Sequence, residues 1–295
     1  MEDMFGNTTS PGLTFVVWAP AFTLASGGIL ALHRLANNLS ELGHRTYLWS
    51  PNKNPSWKGE LLGPRASLLE IFDPIPYHVT KPIVIYPEII IGNPLQAVYV
   101  VRWILNTPGT CGGDGVYGQR DLIVKWSDEY QIGPEYRSAG ELTAWRNYDH
   151  FMDYKRTRMG TCYAVRKGFN KSQNQHPPEA LCIDDYGQRG MDDYLIHTFN
   201  RRELFVCYDH HTMLPVLAAL CGCPAVVIPP PNDMRTVGCP GVAWGFDDLP
   251  RAKATMTLTR AMVDGCIRKS DTQTAEFVEL CYRQWPELKK PVGVS

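Results

Sequence analysis

Short apolar runs recur along this chain at intervals that leave room for a helix between them, and no other feature limits its fold as tightly. Residues 14–19 read TFVVWA and feed PAFTLASGG, a loop ending in Gly27 and Gly28. The next stretch, ILALHRLANNLSELGH, sets Leu32, Leu35, Ala36, Leu39 and Leu42 at helical spacing and stops at Gly43, which tolerates left-handed geometry. RTYLW then returns to strand. PIVIYPEIII predicts a further buried strand, NPLQAVYVVRWILN a helix opened by Asn93-Pro94, and DLIVKW another strand. Later runs repeat the pattern: GTCYAVR and EALCI as strands, MDDYLIHTFNRR as a helix, LFVCY as a strand, MLPVLAALC as a helix and PAVVI as a strand.

Such alternation implies parallel sheets with helices on their faces, an α/β class. At 295 residues, 44% of them hydrophobic, the chain predicts two domains. The polar, aromatic segment PEYRSAGELTAWRNYDHFMDYKRTR places the junction near its end, giving an N-terminal domain over 1–155 and a second over 156–270. The tail 271–295 reads as a helix with Ala275, Val278 and Tyr282 on one side, crossing back to the first domain. Two such halves, each opening its strand ends toward a shared gap, suit a ligand that touches both.

The formal net charge of −1 argues against broad capture of nucleic acid or an anionic membrane, so any anion site is local. Nine scattered cysteines suggest reduced thiols, with no disulfide framework. The N-terminal stretch lacks the basic region of a signal peptide, and no run of about 18 apolar residues could span a bilayer. The expected location is cytoplasmic.

Arg166, Lys167 and Lys171 in YAVRKGFNKS follow a predicted strand, where they suit a diphosphate; they also suit a solvated basic loop. LFVCY delivers the chain to Asp209-His210-His211-Thr212, before a helix with Pro215 in its first turn. Backbone N–H groups near 210–213 are expected to face a ligand, Met213 included, and Asp209 to accept hydrogen bonds from a sugar or to cap the helix. One of the two histidines is a candidate contact to phosphate or sugar. Gly28 permits close backbone approach, or marks a tight turn. SGGILAL lacks the G-x-G-x-x-G spacing of a dinucleotide site, and CGGDG lacks the lysine of a phosphate loop. Asp184 and Tyr186 stand beside the predicted base pocket, although the pairs Asp184-Asp185 and Asp192-Asp193 also read as a loop and a helix start. On the opposite half, Glu88 and Glu129 end predicted strands and are candidate acceptor-side groups, although Glu88 also suits a structural turn. His210-His211 with Cys221 and Cys223 raises zinc, but C-x-C is not its usual spacing.

GGILALHRLANNLSELGH, YAVRKGFNK and DHHTMLPVLAALCGCPAVV together resemble a GT-B glycosyltransferase. The pattern is similar to retaining glycosyltransferase family 4, and more particularly to the small enzymes encoded by large DNA viruses of algae. The resemblance covers most of the chain. It implies two Rossmann-like domains about a cleft, with the first on the acceptor side and the second holding a nucleoside diphosphate sugar such as GDP-mannose or UDP-glucose. It implies Arg166 and Lys171 on the diphosphate, Asp209 as the first acid of the family's acidic motif, a glycan or glycoprotein acceptor, and a location in host cytoplasm if the chain is viral. The second acid of that motif, usually on the ribose, falls on Leu217, which cannot hydrogen-bond a diol. No D-x-D occurs, so an obligatory divalent metal is not expected. Alternatives are a nucleotide-sugar binding protein without turnover and a GT-B-like epimerase.

Overall fold

The computed structural model describes residues 12–23, 26–50, 67–68, 81–166, 168, 175–184, 191–230, 233 and 235–288. In chain order the elements are β1 (Thr14–Trp18), α1 (Gly27–Glu41), β2 (Arg45–Trp49), β3 (Ser67–Leu68), β4 (Ile83–Pro87), β5 (Tyr99–Ile104) and β6 (Leu122–Lys125). They continue with β7 (Thr161–Ala164), β8 (Leu181–Cys182), α2 (Met191–Phe199), β9 (Leu204–Cys207), α3 (Leu214–Leu220), β10 (Ala225–Val227), β11 (Val242–Trp244), α4 (Leu249–Thr255) and α5 (Thr259–Gln284). The chain divides into two compact units, one of Met1–Arg146 with Ile267–Ser295 and one of Asn147–Cys266.

The first unit carries a six-stranded parallel sheet in the order β3-β2-β1-β4-β5-β6. Every residue of β4, β5 and β6 is buried, which is why these strands read as continuous apolar runs rather than alternating ones. Leu32, Leu35, Ala36 and Leu39 of α1 join Phe15, Val17, Ile85, Val101 and Trp103 in one core cluster, together with Phe277, Val278 and Cys281 of α5. Val16, Trp18, Trp49, Val84, Tyr86 and Val100 form another.

Two sequence expectations fail here. Residues 93–106 are not a helix: the Asn93 side chain closes a turn, accepting from Ala97 N–H at 3.0 Å and donating to Ala97 O at 2.8 Å, and β5 follows. Tyr99, Val100, Val101, Trp103 and Ile104 are β-branched or aromatic and sit between two neighbouring strands, so tertiary pairing overrides the Asn-Pro start signal. In α5, Val278 is buried and Tyr282 packs against the same core, as expected, but Ala275 is exposed. The buried stripe runs instead through Gln273, Thr274, Phe277, Val278 and Cys281. It begins with polar residues because Gln273 Oε1 accepts from Thr143 N–H at 3.1 Å, and Asn38 Nδ2 donates to Thr274 Oγ1 at 3.3 Å. An apolar pattern cannot register a stripe satisfied by hydrogen bonds.

The second unit carries a five-stranded parallel sheet in the order β11-β10-β9-β7-β8. Val206, Tyr208, Val226, Ile228, Ala243 and Ala252 form a core cluster there. Helix α3 is buried at every position, consistent with its small and apolar sequence LPVLAAL. Strand β11 and helix α4 are additions to the sequence pattern. The turn between them is organised by Asp248, whose Oδ2 accepts from Gly238 N–H at 2.9 Å and Trp244 N–H at 3.0 Å while Arg251 pairs with Oδ1 at 2.6 Å. That arginine and the backbone donors hold the Asp248 carboxyl far below the usual carboxylate range.

Candidate functional site

Parallel strands deliver all their carboxyl ends to one edge, and a crevice opens where the strand order changes direction. In the second unit that point lies between β7 and β9, since the chain goes from β7 to β8 on one side and then to β9, β10 and β11 on the other. The residues after those two strands are Arg166 and Asp209, distant in sequence but brought together with Arg166 Nε 3.7 Å from Asp209 Oδ2. The aspartate side chain is 4% exposed and the arginine 21%, so the guanidinium remains reachable while its partner is enclosed.

The turn carrying Arg166 is built tightly. Gly168 N–H donates to Val165 O at 2.7 Å, and Arg166 takes a left-handed φ of 43°, uncommon for a residue with a side chain. Asp184 Oδ2, at the end of β8, accepts from Val165 N–H at 2.8 Å and Arg166 N–H at 3.0 Å. A Cβ at position 168 would run into the Tyr208 carbonyl oxygen, so the glycine there is dictated by close approach to the chain leaving β9.

The Asp209-His210-His211-Thr212 segment is held by its own side chains. Asp209 Oδ1 accepts from His211 N–H at 3.0 Å, Thr212 Oγ1 accepts from Leu214 N–H at 3.4 Å, and the Cys207 thiol donates to Asp209 O at 3.2 Å. One of the backbone donors expected to meet an anion, that of His211, is therefore already engaged. Helix α3 is 7 residues long and starts at Leu214, with Met213 at its N-cap making no side-chain cap bond, so Asp209 closes the preceding turn and does not cap the helix. His210 and His211 have ring centroids 4.0 Å apart. Burial, and after it the neighbouring His211, pushes the His210 pKa down, which favours a neutral ring near pH 7.

Leu217 is 4% exposed within the wholly buried α3. A carboxylate there would be enclosed among apolar side chains. Cys221 and Cys223 are likewise buried at the end of that helix, and burial pushes the Cys221 thiol up to about 12. Lys167, Lys171 and Tyr186 lie outside the described residues.

The same edge holds a group absent from the sequence reading. After β10, Asp233 and Arg235 pair through Nη2 and Oδ2 at 2.8 Å, and the Arg235 guanidinium lies 3.9 Å from the ring centroid of Trp244, at the end of β11. Arg235 holds the Asp233 carboxyl below its ordinary value. Both charges influence His210. The signal was available in principle: once PAVVI is a parallel strand, whatever follows it must reach this edge.

In the first unit the order changes direction between β1 and β4. Glu88, just after β4, is 4% exposed, and its Oε2 accepts from Leu105 N–H at 2.9 Å, tying the ends of β4 and β5 together. Gly113, at φ 80°, lies against the Glu88 backbone so closely that a Cβ would overlap the carbonyl oxygen. The Tyr117 phenol is pushed up to about 12, by burial first and then by Glu88. Glu129 is exposed on the turn after β6, where its N–H donates to Ser127 Oγ at 3.2 Å. Gly27 and Gly28 belong to the first turn of α1, which Ser26 caps by accepting from Ile29 N–H at 3.4 Å, so the helix starts two residues earlier than the loop expectation. Among the described residues, a Cβ at Gly27 would meet nothing within 4 Å, and one at Gly28 only Leu105 Cδ1 at 3.7 Å.

Among the described residues, no helix is long and apolar enough to cross a membrane. No family model matches the chain, and no curated protein does. Among solved structures, one described as "Crystal Structure Analysis of the Glycotransferase of kitacinnamycin" aligns with 93% of this chain and 99% of its own, at 12% identity and a TM-score of 0.43. A likeness that slight carries no functional argument, and the chemistry of the two edges stands without it.

Proposed function

We propose that this protein transfers a hexose from a nucleoside diphosphate sugar, GDP- or UDP-linked, to a glycan or glycoprotein hydroxyl with retention at the anomeric carbon. The observation that supports it best is the Arg166–Asp209 pair at the direction change of the second sheet. In this reading the chain is a GT-B enzyme whose second half binds the donor and whose first half, through Glu129 and the backbone at Gly28, meets the acceptor, while Glu88 ties the ends of β4 and β5.

Arg166 donates to the diphosphate and neutralises the charge that grows on it as the anomeric carbon–oxygen bond breaks. Because Asp209 already balances Arg166, the same task is assigned to Lys171 and Lys167 as well. The acceptor oxygen bonds to the anomeric carbon on the face the diphosphate leaves, and its proton passes to a departing phosphate oxygen. Asp209 orients the sugar through Arg166 and the His211 backbone that it holds, and a neutral His210, with His211, Thr212 and Met213, lines the donor. Tyr186 is assigned to the donor side in this scheme, Asp184 acts there only through the Arg166 turn, and no divalent cation is required.

A second reading, donor binding without turnover, draws on Leu217: a position buried in α3 leaves the ribose without the second acid of the family motif. Release of GDP or UDP from GDP-mannose and UDP-glucose, with and without oligosaccharide acceptors, separates the two, and the anomeric configuration of any product by NMR tests retention. Asp209→Asn should depress transfer more than affinity for GDP or UDP. Sugar interconversion without transfer would indicate an epimerase, and binding without release would favour the second reading.

A further inference from the structure

The left-handed backbone of Arg166 needs a cause, and three contacts supply one. Asp184 Oδ2 receives the N–H groups of both Val165 and Arg166, at 2.8 and 3.0 Å. Gly168 closes the turn onto Val165 O at 2.7 Å and lies against the Tyr208 carbonyl, where no side chain fits. The end of β8 thus grips the turn from one side and the end of β9 from the other. A residue at φ 43° is disfavoured unless its surroundings over-determine it, and here its N–H is received by the carboxylate of Asp184.

From these contacts we infer that Asp184 is the positioning residue of the phosphate-binding arginine: it fixes the backbone from which the Arg166 side chain reaches Asp209, and it works through hydrogen-bond acceptance rather than through contact with the nucleotide. This rests on the donor-site reading above. Without the Asp184 acceptor the turn loses two hydrogen bonds, Arg166 relaxes toward negative φ, and its guanidinium leaves the place where a diphosphate would meet it. A side-chain oxygen matters here and a negative charge does not, so asparagine, which keeps one acceptor oxygen, is the conservative replacement.

The test is binding of pyrophosphate, GDP and UDP to the full chain by calorimetry, for wild type, Arg166→Ala, Asp184→Ala, Asp184→Asn and the double alanine variant. Asp184→Ala should lose about 10-fold or more in affinity, approaching Arg166→Ala, because a displaced guanidinium cannot align its donors. The double variant should bind no worse than Arg166→Ala, and Asp184→Asn should stay near wild type. Additive losses in the double variant, or full affinity in Asp184→Ala beside a weakened Arg166→Ala, overturn the positioning role while leaving the donor site intact. A folded Asp184→Asn that binds as poorly as Arg166→Ala does the same by assigning the effect to charge. If Arg166→Ala binds all three probes like wild type, the donor-site reading fails, and the positioning role is then decided in the ligand-free protein. There the Arg166 Nε–Hε NMR correlation should move in Asp184→Ala and not in Asp184→Asn. An unmoved signal in both overturns it.

Discussion

The two parallel sheets solve one topological problem and arm their edges with different chemistry. Where the first sheet changes direction, a buried carboxylate, Glu88, is committed to the backbone of Leu105, and the nearby glycines of α1 leave open space. Where the second does so, a reachable guanidinium stands beside an enclosed carboxylate, on a turn held in a left-handed conformation. Strand order alone therefore brings residues together without choosing what they do; that choice belongs to the few residues after each strand. In the proposed reading the first edge meets the acceptor hydroxyl and the second the donor diphosphate.

The strongest way to break that contrast is to force an acid into α3 of the second unit. Leu217→Glu should destabilise the protein by several kcal/mol, the cost of enclosing a carboxylate without a partner, and show as a large fall in Tm. A tolerated glutamate that tightens GDP or UDP binding would mean that position 217 faces the edge after all.

Acid should distinguish the units next. His33 on α1 is buried, with Nε2 3.1 Å from Pro20 O, and burial lowers its pKa from 6.5 to about 4. The unfolded chain binds that proton more readily than the folded one, so the stability associated with a neutral His33 is whole above pH 6.5 and is lost as pH falls toward 4, on the order of 3 kcal/mol in all. Hydrogen exchange followed from pH 7 to 4 should show the first sheet weakening over that window, and His33→Gln should flatten the slope. His210 contributes in the same direction in the second unit.

Arg166→Ala should cost about 1–3 kcal/mol, roughly 5- to 150-fold in GDP or UDP affinity, whereas Glu88→Gln should leave that affinity unchanged. If instead Glu88→Gln weakened nucleotide binding, the assignment of edges would be reversed. The smallest effect sharpens the comparison: Gly28→Ala should leave stability, read as Tm, unchanged or raise it by up to about 1 kcal/mol, because alanine suits a helix better and among the described residues meets only Leu105. Its consequence should appear in the acceptor KM. A lower Tm without a kinetic change would make Gly28 a packing residue.

Sequence alone determined the class of the fold, because strands covered on both faces must be continuously apolar and the helices between them must carry an apolar stripe. β1, β2, β4, β6, β7, β9, β10, α1, α2 and α3 were all legible on that basis. It failed for β5, where an Asn-Pro start signal mimicked a helix, and for the buried stripe of α5, where hydrogen bonds take the place of apolar contacts. It located Arg166 and Asp209 at strand ends, since a basic residue after an apolar run in a parallel sheet must reach the carboxyl edge. Tertiary structure decided the rest: that β7 and β9 are neighbours, so that these two side chains meet, that Asp184 is spent on the backbone, and that Asp233, Arg235 and Trp244 share their edge. Adjacency of strands is set by which faces bury against which, a property of the assembled sheet that no local run of residues encodes.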